Sequence, residues 1–204
     1  MKKLAIGAFL FISSLGFSQQ REKGTIELAP VLGIANANYY GGDSGAGNKA
    51  IIRVNYGVDF DYYFTNSWSL RSGILFQMMG TKGRNETGEN VEENLKYITF
   101  PINASWHFGR TRNWNLNFGP SFSFLTSADG TIGGITHDMK DFINPFQLSL
   151  NVGIGYKFEI TEKFGLSISY NESLGLTDVP KSEYDFSFKN SHSAFNLAAV
   201  FKVN

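Results

Sequence analysis

Cysteine is absent from the 204 residues, which excludes disulfide frameworks, cysteine-rich zinc modules and thiol catalysis. Long apolar runs are missing as well. Beyond the first twenty residues none approaches the ~18 that a membrane helix needs. Neither charge sign is in surplus: Lys plus Arg is 18 and Asp plus Glu is 18. The chain therefore lacks the basic excess of a nucleic-acid binder. Histidine is scarce, and the 3 present are scattered, so no metal-ligand spacing exists and neither a metal nor a cofactor is expected.

What the chain has in quantity is glycine and aromatics: 22 Gly, 19 Phe, 9 Tyr and 3 Trp. This balance suits strands and turns better than helices. The first residues form a separate unit. Met1-Lys2-Lys3 is basic, Leu4 to Leu15 is apolar, and Gly16 and Ser18 are the small residues of a cleavage site after Ser18. Those are the parts of a secretory signal peptide, so residues 1–18 are expected to be removed and residues 19–204 to form one exported domain.

That domain repeats one pattern eight times. From Ile52 to Phe64 the even positions are Ile, Val, Tyr, Val, Phe, Tyr and Phe, while the odd ones include Arg53, Asn55, Asp59 and Asp61. Such alternation is a strand with one greasy and one polar face. Phe146 to Ile160 reads the same way, and weaker copies run over 25–37, 68–79, 95–108, 114–126, 164–176 and 192–203. Most exceed ordinary strand length and match the ~9–11 tilted residues that cross a bilayer. Connections alternate between short (65–67, 109–113, 161–163) and long (38–50, 80–94, 127–143, 177–190). The expected fold is an all-β, eight-stranded antiparallel up-and-down transmembrane barrel with short periplasmic turns and long extracellular loops.

The charges decide which face looks inward. The polar set carries Glu27, Arg53, Asp59, Asp61, Arg71, Lys157, Glu159 and Lys202. A hydrophobic core would not be lined by these, so they are expected to line the lumen while the greasy set meets lipid. A soluble lipocalin-like barrel inverts that order and is excluded by it. Glu172 is the first charge on the greasy face, near the long-loop end of its strand. A three-residue turn at Thr65-Asn66-Ser67 sets Asp61 opposite Arg71. Trp68, Trp106 and Trp114 lie beside short turns, as a periplasmic aromatic girdle would. Tyr97, Phe122, Phe124, Phe146 and Tyr170 are the expected outer girdle. Pro30, Pro101 and Pro120 fall within strands and predict local bulges.

Several stretches resemble one family. Leu95-Lys96-Tyr97-Ile98-Thr99-Phe100-Pro101-Ile102 is similar to the Leu-x-Tyr strand, ending in proline, of the PorT-like outer-membrane β-barrels. Asn117-Phe118-Gly119-Pro120, Val152-Gly153-Ile154-Gly155-Tyr156 and Tyr170 to Thr177 resemble that family's later strands. The resemblance implies an eight-stranded barrel in the outer membrane of Gram-negative bacteria, with a link to type IX protein secretion. Expected partners are outer-membrane lipid and secretion-machinery or envelope proteins. The expected role is non-enzymatic, structural or binding through the loops. The alternative is a barrel enzyme hydrolysing lipid or peptide. Its candidates are His192 with Ser191 or Ser193, and His137 with Asp138, since a base must sit beside a nucleophile. His107 reads as a hydrogen-bonding lumen residue.

Overall fold

The computed structural model describes residues 22–42, 44, 48–85 and 87–204. The proposed signal peptide, residues 1–18, lies outside the described residues. The described residues form nine strands: β1 (Ile26–Tyr40), β2 (Ile51–Tyr63), β3 (Trp68–Arg84), β4 (Asn90–Phe108), β5 (Trp114–Ile132), β6 (Ile135–Asp138), β7 (Phe146–Glu159), β8 (Phe164–Gly175) and β9 (Lys189–Lys202). All pairings are antiparallel, in the order β4-β3-β2-β1-β9-β8-β7-β5, and β4 pairs with β5 to close the ring. Eight strands thus form the barrel, and β6 is a short addition that pairs, among the described residues, with β5 alone.

Alternation sorts the side chains as a closed sheet requires. Along β2, Ile52, Val54, Tyr56, Val58 and Tyr62 are exposed outward, while Asn55, Asp61 and Tyr63 are buried within. Inward glycines let neighbours fill a narrow interior. A Cβ on Gly153 would stand 2.0 Å from Asn171 Oδ1, so this wall carries no side chain of its own there.

Three strands overrun the barrel. β3 has 17 residues and β4 and β5 have 19 each, against 12 in β8. Much of the sequence read as long loops is therefore strand. Residues 80–84 pair with 90–94, residues 91–95 pair with 128–132, and β6 continues that sheet outward. The change from barrel to extension is marked by two irregularities. The β4–β5 register shifts between Lys96 and Tyr97, and Gly80 takes φ +130, where an added Cβ would stand 2.0 Å from the Glu93 carbonyl oxygen. Only glycine fits that backbone and that approach.

The proline bulges do not form. Pairing pauses beside Pro30, Pro101 and Pro120, yet the register is the same on either side of each pause. A missing N–H costs one ladder bond, and the zipped residues above and below hold the alignment without an extra residue.

The aromatics beside the short turns point outward and touch in sequence. Ring centroids are 6.4 Å apart for Trp68–Trp106, 4.9 Å for Trp106–Phe108, 6.3 Å for Phe108–Trp114 and 5.0 Å for Trp114–Tyr156. At the other end Phe124 packs on Phe146 (5.6 Å) and Tyr170 on Phe195 (4.8 Å). Tyr97 does not join them. It shares the inward phase of Thr99 and Asn103 and is buried.

Candidate functional site: the lumen and its cap

The lumen divides into three levels. At the short-turn end, Lys157 Nζ lies 2.7 Å from Glu27 Oε1 and 3.6 Å from Glu159 Oε1, and the Tyr63 hydroxyl donates to Glu27 Oε2 at 3.1 Å. Lys202 stands opposite Glu27 in the β1–β9 register. Just above, Arg71 Nε and Nη2 both lie 2.9 Å from Asp61 Oδ2, and Ser69 Oγ donates to Asp61 Oδ1 at 2.7 Å. His107 Nε2 is 3.0 Å from that same Ser69 Oγ and its ring packs on Tyr63. Asp59, two residues along β2, lines the same small cavity as Asp61 and Arg71, of about 30 Å³.

The middle level is built of amides. Asn55 Nδ2 donates to Asn196 Oδ1 at 2.8 Å, Asn117 Nδ2 to Asn171 Oδ1 at 3.4 Å, and Ser121 Oγ to Asn151 Oδ1 at 3.2 Å. The five asparagines border a second cavity of about 60 Å³. Opposed amides suit a closed polar interior because each supplies both donor and acceptor.

The third level reverses the polarity. Ala37, Tyr39, Ile51, Met79, Leu95, Tyr97, Leu125 and Ala128 point inward at the long-loop end, and Ile143 and Val179 fold over them from the connections. Met139 and Phe188 pack against this cluster. It is an apolar cap, and residue-by-residue reading of a polar lumen missed it. The signal was present: Ile51, Met79, Leu95 and Tyr97 are apolar residues on the otherwise polar phase of their strands.

Arg53 leaves the group of eight. Its guanidinium bonds Asn94 Oδ1 and lies 2.7 Å from Glu92 Oε1, both on the extension of β4. Glu92 accepts a hydrogen bond from the Asn94 amide and another from Arg53, and together these hold its carboxyl below the usual range. Next to this pair, Lys49, Lys82, Gly83, Arg84, Asn90 and Val91 border an open groove of about 620 Å³.

The structure separates the nucleophile–base candidates. His192 is buried in the lumen, whereas Ser191 and Ser193 lie on the opposite face of β9 and bond Glu172 instead. Alternation in an extended strand makes this unavoidable. His137 and Asp138 are exposed neighbours on β6, so they too lie on opposite sides of that strand.

A closed ring of eight long strands, greasy outside and polar within, with an aromatic belt at its short-turn end, is the geometry of a membrane barrel. The model of the outer membrane protein beta-barrel domain family matches residues 15–179. The chain belongs to that family. Two solved structures share its fold. Neisserial surface protein A is 14% identical with a TM-score of 0.53, covering 87% of this chain and 96% of that one. OprG from Pseudomonas aeruginosa is 11% identical with a TM-score of 0.54, covering 91% of this chain and 99% of that one. None of the curated proteins matches the chain. Family and fold together set it in the bacterial outer membrane. In such a barrel the short turns are periplasmic, so the cap and the β3–β6 extension face outward.

Proposed function

We propose that this outer-membrane barrel is non-enzymatic and binds partners through its extracellular extension. One observation carries the reading. β3, β4 and β5 run 17 to 19 residues where ~9–11 cross the membrane, so an ordered sheet stands outside the bilayer. It presents the groove bordered by Lys49, Lys82 and Arg84, and in β6 an edge strand of four exposed residues that pairs with β5 on one side and with no strand among the described residues on the other. Exposed edges pair readily with extended segments of other proteins. The separation of His192 from both serines favours this role over hydrolysis.

The finer reading has two sources: the signal-peptide pattern of residues 1–18, by which the protein is exported with cleavage after Ser18, and the PorT-like stretches, by which it works with the type IX secretion machinery. Mass spectrometry of outer-membrane fractions tests the export step, with a mature chain starting at Gln19 expected. A pull-down in mild detergent, comparing the wild type with a variant in which residues 82–92 are replaced by a short turn, tests the binding. Secretion components captured only by the wild type support the full reading. Capture of other envelope proteins, lost in the variant, retains the extension and removes the secretion link. Equal capture by both forms overturns the role of the extension.

A further inference from the structure

Glu172 is out of place. It lies on the lipid-facing side of β8, eight residues above Phe164, with exposed Leu174 and Leu176 beyond it on the same face. Its position is therefore at the outer margin of the apolar band, just beyond the Tyr170–Phe195 pair. Its register neighbours are Val152 on β7 and Ser193 on β9, and Ser193 in turn faces Asn36 on β1. Its oxygens meet hydroxyls: Tyr170 Oη at 2.9 Å, Ser193 Oγ at 2.6 Å and Ser191 Oγ at 3.4 Å. Among the described residues no lysine or arginine lies within ion-pair distance of it. A carboxylate on the lipid-facing side at this margin, with no cation beside it, is costly and points to a function.

Directly below this cluster the outer wall is depressed. A cavity of about 660 Å³ runs obliquely across β2, β1, β9, β8, β7 and β5, bordered by Val54, Ile34, Leu197, Ile168, Ile154 and Trp114. Its volume falls within the ~300–1,000 Å³ of small-molecule sites. Its floor includes Gly33 and Gly155. A Cβ on Gly33 would stand 1.9 Å from Asn196 Oδ1 and 2.8 Å from Asn55 Oδ1, so the amide layer of the lumen packs directly against the inner side of this floor. The Tyr170–Phe195 pair borders the depression, and Glu172 and Ser193 form the next row above it.

We propose that depression and carboxylate form one site for a membrane lipid with a protonated primary amine. The acyl chain lies along the apolar depression, and the head group's N–H groups donate to Glu172, supplying the cation that the protein does not. Ser191, Ser193 and Asn36 offer hydrogen-bond partners for the rest of the head. A quaternary ammonium matches the charge without donors, and an anionic head is repelled.

The test uses the full chain refolded in detergent and given equal amounts of phosphatidylethanolamine, phosphatidylcholine and phosphatidylglycerol, with bound lipid read by native mass spectrometry. The wild type should retain phosphatidylethanolamine over either other lipid by about tenfold, the worth of one charge-assisted hydrogen bond. Glu172→Gln keeps the side-chain shape and should erase that preference. Leu197→Trp fills the depression and should lower retention of all three. Faster migration of unheated samples in SDS gels verifies that each variant is folded. Equal retention of the three lipids by the wild type, or an unchanged preference in Glu172→Gln, overturns the proposal. So does a lipid-free dimer, which would assign the depression to a second copy.

Discussion

Asp61 and Arg71 face each other across the β2–β3 hairpin, with both guanidinium contacts to Oδ2 at 2.9 Å. The short turn between Phe64 and Trp68 dictates this register, and the lumen removes the pair from most solvent: Asp61 is 4% exposed. Arg71 also lies beside Asp59. Replacing Arg71 by Met strands carboxylates in the interior, and the expected loss is about 3–5 kcal/mol. Adding Asp61→Asn to that variant should recover part of the loss. Urea titration of tryptophan fluorescence in lipid vesicles measures both.

The barrel is expected not to conduct. Its lumen cavities are about 30 and 60 Å³, and Met79, Leu95 and Tyr97 close the extracellular end. Eight strands enclose only enough room for side chains. Planar-bilayer recording of the refolded protein should show a flat baseline. Stable stepwise openings from the wild type would disprove the plugged interior.

Gly80 is expected to be the position where substitution harms the extension most. Gly80→Ala adds a Cβ that meets the Glu93 carbonyl at 2.0 Å and forces a positive φ on alanine, for a cost of about 1–3 kcal/mol. Gly88→Ala, also at positive φ but with open space around it, should cost less. Limited proteolysis of intact cells or vesicles reads the difference as faster cleavage within residues 80–94 in the first variant alone.

Acid should loosen the loop that covers the cap. Asp178 Oδ1 accepts hydrogen bonds from Ser187 at 2.7 Å and Lys189 at 2.9 Å, and these hold its carboxyl below the usual 3.8. A depressed carboxylate stabilises the fold above its unfolded pKa, and that contribution disappears as pH falls through the folded one. The protection of residues 177–190 against hydrogen exchange, taken relative to the intrinsic rate at each pH, should therefore be constant between about pH 7 and pH 5 and fall below about pH 4. Asp178→Asn should show the lowered protection at every pH.

Local reading recovered the class of the protein because the decisive information has a period of two. Each strand states by itself which residues share a face, and eight charged residues on one phase leave a single choice of interior. The short turns then set hairpin registers such as Asp61 with Arg71, and the aromatics beside them mark one membrane boundary. None of this needs knowledge of what lies across the barrel. The cap does. Tyr97 reads as a girdle residue until the strand's inward phase and the loops carrying Ile143 and Val179 enclose it. The extension also escapes local reading, because Gly80 and the shifted register at Lys96/Tyr97 let strands continue through segments whose polarity suits loops. Arg53 finds Glu92 because β2 ends at the barrel rim while β3 and β4 go on. Glu172 stood out in the sequence as a lone charge on a greasy face. The β8–β9 pairing set Ser191 and Ser193 beside it and Tyr170 lies on its own strand, whereas the apolar depression beneath it needed the ring, because its lining also comes from β1, β2 and β5, which are not hairpin neighbours of β8.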